Sequence, residues 1–95
     1  MSRSPYAILG LEPGASSAAI RAAYRTRAKS LHPDVGGDAE AFLELRVAYR
    51  ILTEPELHTR WQKVGDDLVD AQRAAERRRA QLTRRRGRLR RLHEL

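Results

Sequence analysis

The sequence predicts an all-α fold, and three observations predict it. Apolar residues recur at spacings of three and four in two successive segments of similar length. No stretch alternates apolar and polar residues in the way a half-buried strand does. Proline and glycine fall between the periodic segments and not within them.

The first helix is short, about Pro5 to Leu9. Ser4 can cap it, and Pro5 suits the first helical position, where a missing N–H costs nothing. Gly10 can end it in the left-handed conformation, and Tyr6 and Leu9 read as inward. Glu12-Pro13-Gly14 makes a turn. Ser16 or Ser17 then caps a second helix to about Leu31, with Ala19, Ile20, Ala23, Ala28 and Leu31 on its apolar side. Arg21, Arg25 and Lys29 recur every four residues and form a basic stripe on the other side.

Pro33 stops the second helix, because it lacks an N–H and pushes His32 out of helical geometry. His32-Pro33-Asp34-Val35-Gly36-Gly37 is a loop. Asp38 caps a third helix to about Leu52, whose apolar face reads Phe42, Leu45, Ala48, Tyr49 and Leu52. Two helices of similar length joined by a short loop pack as an antiparallel pair. Glu54-Pro55 opens a short fourth helix, with Leu57 and Trp61 inward, and Gly65 marks a boundary.

The chain has 95 residues, room for one small domain and an extension. A domain this small has little interior for an enclosed catalytic pocket, and a surface that docks on something larger is expected. It contains no cysteine, which excludes disulfides, thiolate catalysis and cysteine-bound zinc. His32, His58 and His93 stand isolated, without ligand spacing, so no metal or cofactor is expected. Ser30, His32 and Asp34 sit too close in a bending loop to form a catalytic triad. Neither a signal peptide nor a membrane span is legible, and a cytoplasmic location is expected.

At His32-Pro33-Asp34 a resemblance becomes specific. Tyr6-Ala7-Ile8-Leu9-Gly10, then Ile20, Ala23, Tyr24 and Arg25, then the tripeptide with its glycines, and Phe42, Leu45, Ala48-Tyr49, Leu52 and Glu54-Pro55 stand in the order of the J-domain of the DnaJ family. The chain resembles that domain over residues 4–63, which implies a hairpin of the second and third helices flanked by two short ones. It also implies a co-chaperone, not an enzyme, that docks on a DnaK-type chaperone and stimulates its ATP hydrolysis. The contacting residues would be His32, Pro33 and Asp34 together with Arg21, Arg25 and Lys29. Without the family, a carboxylate held on a stiff, exposed tip suits pairing with a partner's arginine, and an adjacent basic stripe suits an acidic patch.

The sequence departs from the family pattern in places. Arg27 stands where a leucine is usual and is expected to lay its stem on the hairpin rim with its head in water. Ala22 and Thr26 occupy frequently basic positions, Trp61 replaces a tyrosine and His58 an arginine. No glycine/phenylalanine-rich linker or zinc region is legible, so the chain looks like the J-domain-only class.

Residues 66–95 form an Arg-rich, helix-prone extension. Residues 1–70 hold nine Lys/Arg and ten Asp/Glu, whereas residues 71–95 hold ten Arg and two Glu. Residues 71–95 are expected to add an electrostatic interaction separable from the activity of the domain. Leu68, Ala75, Leu82 and Leu89 recur every seven residues, but Arg78 and Arg85 interrupt that frame and Gly87 weakens the helix. Four readings stay open: a solvated helix, a polyanion or nucleic-acid contact, a membrane-surface helix, and a protein contact. The polyanion reading names Arg77, Arg78, Arg84, Arg85, Arg86 and Arg88. It also supplies the rival function, a nucleic-acid-binding module or adaptor built on a J-like scaffold.

Overall fold

A computed structural model describes residues 3–94, and side chains for residues 3–83. The elements are α1 (Pro5–Leu9), α2 (Ser17–Leu31), a 3₁₀ turn (Pro33–Val35), α3 (Ala39–Thr53), α4 (Pro55–Val64) and α5 (Asp67–Glu94). No strand occurs among the described residues, and the all-α fold is as the periodicity predicts.

The caps are those the sequence names. Ser4 Oγ accepts the Tyr6 N–H at 3.2 Å, Ser16 Oγ accepts that of Ala19 at 3.1 Å, and Asp38 Oδ1 accepts those of Glu40 and Ala41 at 2.8 and 3.2 Å. Each satisfies helix-end donors that would otherwise have no partner. Gly10 ends α1 with φ +74°. A Cβ there would stand 2.3 Å from Nη2 of Arg27. Arg27 is exposed, and its guanidinium lies over the end of α1.

α3 is the central helix, and two apolar clusters meet on it. Leu9, Ile20 and Leu45 form one, with Tyr24, Leu31, Tyr49 and Leu52 packed around them. Here α2 lies against α3: the rings of Tyr24 and Tyr49 stack 4.3 Å apart, and His32 at the end of α2 meets Phe42 at the start of α3. Ile20, at the start of α2, lies beside Leu52 near the end of α3, so the pair is antiparallel. The second cluster is Ile8, Val47, Ala48, Ile51, Leu57, Leu68 and Val69, with Leu43 and Trp61 against it.

The second cluster widens the core beyond the predicted face of α3. The predicted apolar face of α3 leaves out Val47 and Ile51, yet these are among the most deeply buried side chains. A helix covered on more than one side carries an apolar surface wider than a single stripe, and α3 is covered by α1, α2, α4 and α5. α5 also packs on α3 and α4 directly after Gly65. Gly65 (φ +80°) turns the chain, Asp66 accepts the Trp61 indole N–H at 2.8 Å, and Leu68 and Val69 enter the core. Leu82 is exposed, so the seven-residue frame does not follow one buried face. The helix continues through Gly87 to Glu94.

Charge reinforces the contact of α5 with α3. Arg73 reaches Glu40 at 3.2 Å and Glu44 at 3.4 Å, and Arg77 binds both oxygens of Glu40, at 3.0 and 2.7 Å. Arg3 adds a bond to Glu44. Arg50 bridges Glu54 (3.0 Å) and the buried Glu76. The Arg77 and Arg73 guanidinia hold the Glu40 carboxyl below its ordinary value, and Arg50 does the same to Glu54.

Candidate functional site

The tip of the α2–α3 hairpin is organised around His32. Pro33 bars the preceding residue from helical geometry, and His32 is extended at φ −61°, ψ 133°. Three N–H groups then converge on this residue. That of Asp34 donates to the imidazole Nδ1 at 3.1 Å, and those of Val35 and Gly37 donate to the His32 carbonyl, each at 3.1 Å. Val35, Gly36 and Gly37 thus wind back on His32, and its ring is braced edge-on against Phe42 with centroids 4.9 Å apart.

Glycine is required twice in this loop. Gly36 has φ +79°, which side chains rarely adopt. A Cβ on Gly37 would stand 2.2 Å from the Leu31 carbonyl oxygen, so the close return of the chain onto the end of α2 needs glycine. This second requirement is invisible in the sequence, where Gly36-Gly37 reads only as part of a loop.

Asp34 Oδ2 lies 3.6 Å from His32 Nδ1. That approach is not an ion pair in this arrangement, because Nδ1 is already accepting the Asp34 N–H and has no proton to offer. The ring proton of neutral His32 therefore sits on Nε2. The Asp34 carboxylate is left in water, with 89% of its side chain exposed, while His32 is 45% exposed. Such a carboxylate keeps both oxygens available for a bidentate partner.

Along α2, Arg21, Arg25 and Lys29 are all exposed, and none makes an ion pair among the described residues. The stripe and the tip lie on one continuous element, since Lys29 is three residues before His32. Of the tail arginines, Arg77 is bound to Glu40, whereas Arg78 and Arg79 are exposed and form no ion pair among the described residues. The side chains of Arg84, Arg85, Arg86 and Arg88 lie outside the described residues. The described residues contain no cluster of His, Asp and Glu suited to a metal, and no helix long and apolar enough to cross a membrane.

Sequence reasoning missed the acid–base seam between α3 and α5. Its traces were present, since Glu40 and Glu44 are four apart and so are Arg73 and Arg77. Only the packing of α5 on α3 tells which pair faces which.

A helical hairpin with a stiffened His-Pro-Asp tip and a basic flank defines a class of small helical domain. The matched sequence defines the family: residues 4–62 match the DnaJ domain, and the chain belongs to the DnaJ-domain family. Among the relatives, the chaperone protein DnaJ 1 of Mycolicibacterium paratuberculosis is 45% identical over 74 residues, covering 75% of this chain and 19% of that protein. The chaperone protein DnaJ of Acetivibrio thermocellus is 44% identical over 72 residues, 72% of this chain and 19% of that protein. The translocation protein SEC63 homolog of Homo sapiens is 40% identical over 63 residues, 66% of this chain and 8% of that protein. The chain thus spans less than a fifth of these relatives. No solved structure matches it.

Proposed function

We propose that this chain is a J-domain co-chaperone that docks on a DnaK-type chaperone in the cytoplasm and stimulates its ATP hydrolysis. One observation carries the reading: a carboxylate, Asp34, stands on a braced loop with 89% of its side chain exposed, at the tip of a hairpin whose adjoining helix face carries three exposed cations without an ion pair among the described residues. Arg21, Arg25 and Lys29 meet an acidic patch and orient the encounter. Asp34 then pairs with an arginine of the partner. Docking favours the hydrolysis-competent state of the chaperone, a population shift in the partner with no bond made or broken by this chain. His32 has a double task, because its Nδ1 and carbonyl hold the loop while its Nε2–H is left to donate.

The test is steady-state ATPase of a DnaK-type chaperone with the wild-type chain and with Asp34→Asn. Asp34 makes no side-chain hydrogen bond among the described residues, so the variant is expected to melt within about 0.5 kcal/mol of wild type. It is expected to lose at least tenfold in stimulation. A folded Asp34→Asn protein that stimulates normally would falsify the docking role. His32→Gln is less clean, since it also removes the cap on the Asp34 N–H.

A further inference from the structure

Where α5 packs on α3, the two helices leave a groove with two adjoining hollows of about 380 and 430 Å³. Leu43, Arg46, Glu76 and Ala80 line both. The lining is mostly apolar, and Phe42 extends it in the first hollow. Its charged side chains are four arginines and two glutamates: Arg46, Arg50, Arg77 and Arg79 against Glu40 and Glu76. Glu40 is taken by Arg73 and Arg77, and Glu76 by Arg50. That leaves Arg46 on α3 and Arg79 on α5, both exposed and neither in an ion pair among the described residues. Beneath them Glu76 is 7% exposed, and its Oε2 has no hydrogen-bond partner.

We propose that the α3–α5 groove binds an acidic, leucine-bearing peptide segment of another protein. Its carboxylates pair with Arg46 and Arg79, and an apolar side chain seats on Phe42, Leu43 and Ala80. Charge complementarity selects this occupant. The guanidinium fork of arginine matches a carboxylate in two parallel hydrogen bonds. A basic segment would meet two glutamates that already carry arginines. An apolar anchor in a hollow with charged groups at its rim is the usual anatomy of a protein interface. A polyanion without apolar groups would leave Phe42 and Leu43 uncovered, and a membrane surface cannot enter a groove between two helices. A peptide also brings N–H donors, which the unpartnered Oε2 of Glu76 can accept. Phe42 lines the groove and braces the His32 ring as well, so the segment is held beside the hairpin tip. The inference goes beyond the chaperone reading, because Arg21, Arg25, Lys29 and Asp34 line no part of this groove.

The experiment titrates a peptide of three Ser-Glu-Leu-Glu repeats into the isotope-labelled full chain and follows backbone amide shifts by NMR. The amides of Leu43, Arg46, Arg79 and Ala80 are expected to move and saturate together. Arg46→Gln with Arg79→Gln keeps good helix formers at exposed positions. It is expected to bind about tenfold more weakly, the loss of two exposed ion pairs. Ala80→Glu offers the two arginines a carboxylate from their own chain and is expected to weaken binding as much. Stimulation of the chaperone is expected to be unchanged in both variants. Arg21→Gln with Arg25→Gln is expected to bind the peptide as wild type does. A peptide with serine in place of leucine, its lysine counterpart and a DNA duplex are each expected to leave the groove amides unmoved. The proposal is overturned if no groove amide moves at about 1 mM peptide, or if the shifts fall on α2 or on residues 84–95 alone. It is equally overturned if either groove variant binds as tightly as wild type, or if any of the three rival probes moves the groove amides as the first peptide does.

Discussion

On one side of α3, α2 presents Arg21, Arg25 and Lys29 to water with no ion pair among the described residues. On the other, α5 brings Arg73 and Arg77 onto Glu40 and Glu44, and its Glu76 onto Arg50. The two faces carry similar residues in different surroundings. Cations joined to carboxylates of the same chain have their charge largely answered at home and have little left for a partner. Cations with no neighbour keep their field in the solvent, where it steers an encounter. Charge pattern alone therefore does not identify a docking face; the identity of its internal partners does.

The largest break in this comparison comes from removing α5. A chain ending at Gly65 loses the burial of Leu68 and Val69, each contributing roughly 1.5–3 kcal/mol. Urea melts are expected to show a loss of about 3–6 kcal/mol, a large part of the stability of a domain this small. A truncated chain as stable as the full one would mean that α5 only rests on α3.

Arg50→Met is a smaller cut at the same seam. It leaves Glu76, with 7% of its side chain exposed, buried without its cation. Removing one partner of a buried pair is expensive because the other charge stays behind. A loss of about 3 kcal/mol in denaturant melts is expected, and the double variant Arg50→Met with Glu76→Leu should recover most of it.

Acid sharpens the comparison further. Glu40 and Glu54 have carboxyls held below the ordinary value of 4.5, the first by Arg77 and the second by Arg50. Their folded values lie below the unfolded ones. The stability they add is therefore present above the ordinary value and fades as pH falls through the depressed folded values. Melting temperature against pH is expected to drop on that acid limb, and Glu40→Gln with Glu54→Gln should flatten the drop. An unchanged limb in the double variant would assign the acid sensitivity to other groups.

The smallest effect on stability belongs to the α2 face. Arg25→Gln removes an exposed cation with no ion pair among the described residues, so the melt is expected to move by less than about 0.5 kcal/mol. The concentration for half-maximal stimulation of the chaperone is expected to rise several-fold, and more so at low salt, where exposed charges reach farther. Unchanged salt dependence in this variant would remove Arg25 from the docking face.

Local chemistry made much of this protein legible in its sequence. Ser4, Ser16 and Asp38 cap their helices, Pro33 ends α2, and the spacing from Phe42 to Leu52 marks one face of α3. These features act within a few residues of their own position, over the range that helix geometry and proline sterics govern. The exposure of Asp34 also followed from its place in a proline-stiffened turn. Three other features depended on contacts between distant segments, which only the tertiary structure decided. Val47 and Ile51 are core because α3 is covered on a second side. Gly37 must be glycine because the chain returns to within touching distance of the Leu31 carbonyl. The arginines of α5 divide at Arg77: Arg73 and Arg77 pair with Glu40 and Glu44, whereas Arg78 and Arg79 form no ion pair among the described residues, because α5 brings only the first two against the acidic residues of α3. A sequence gives every arginine the same charge; the fold determines which carboxylates come close enough to answer it.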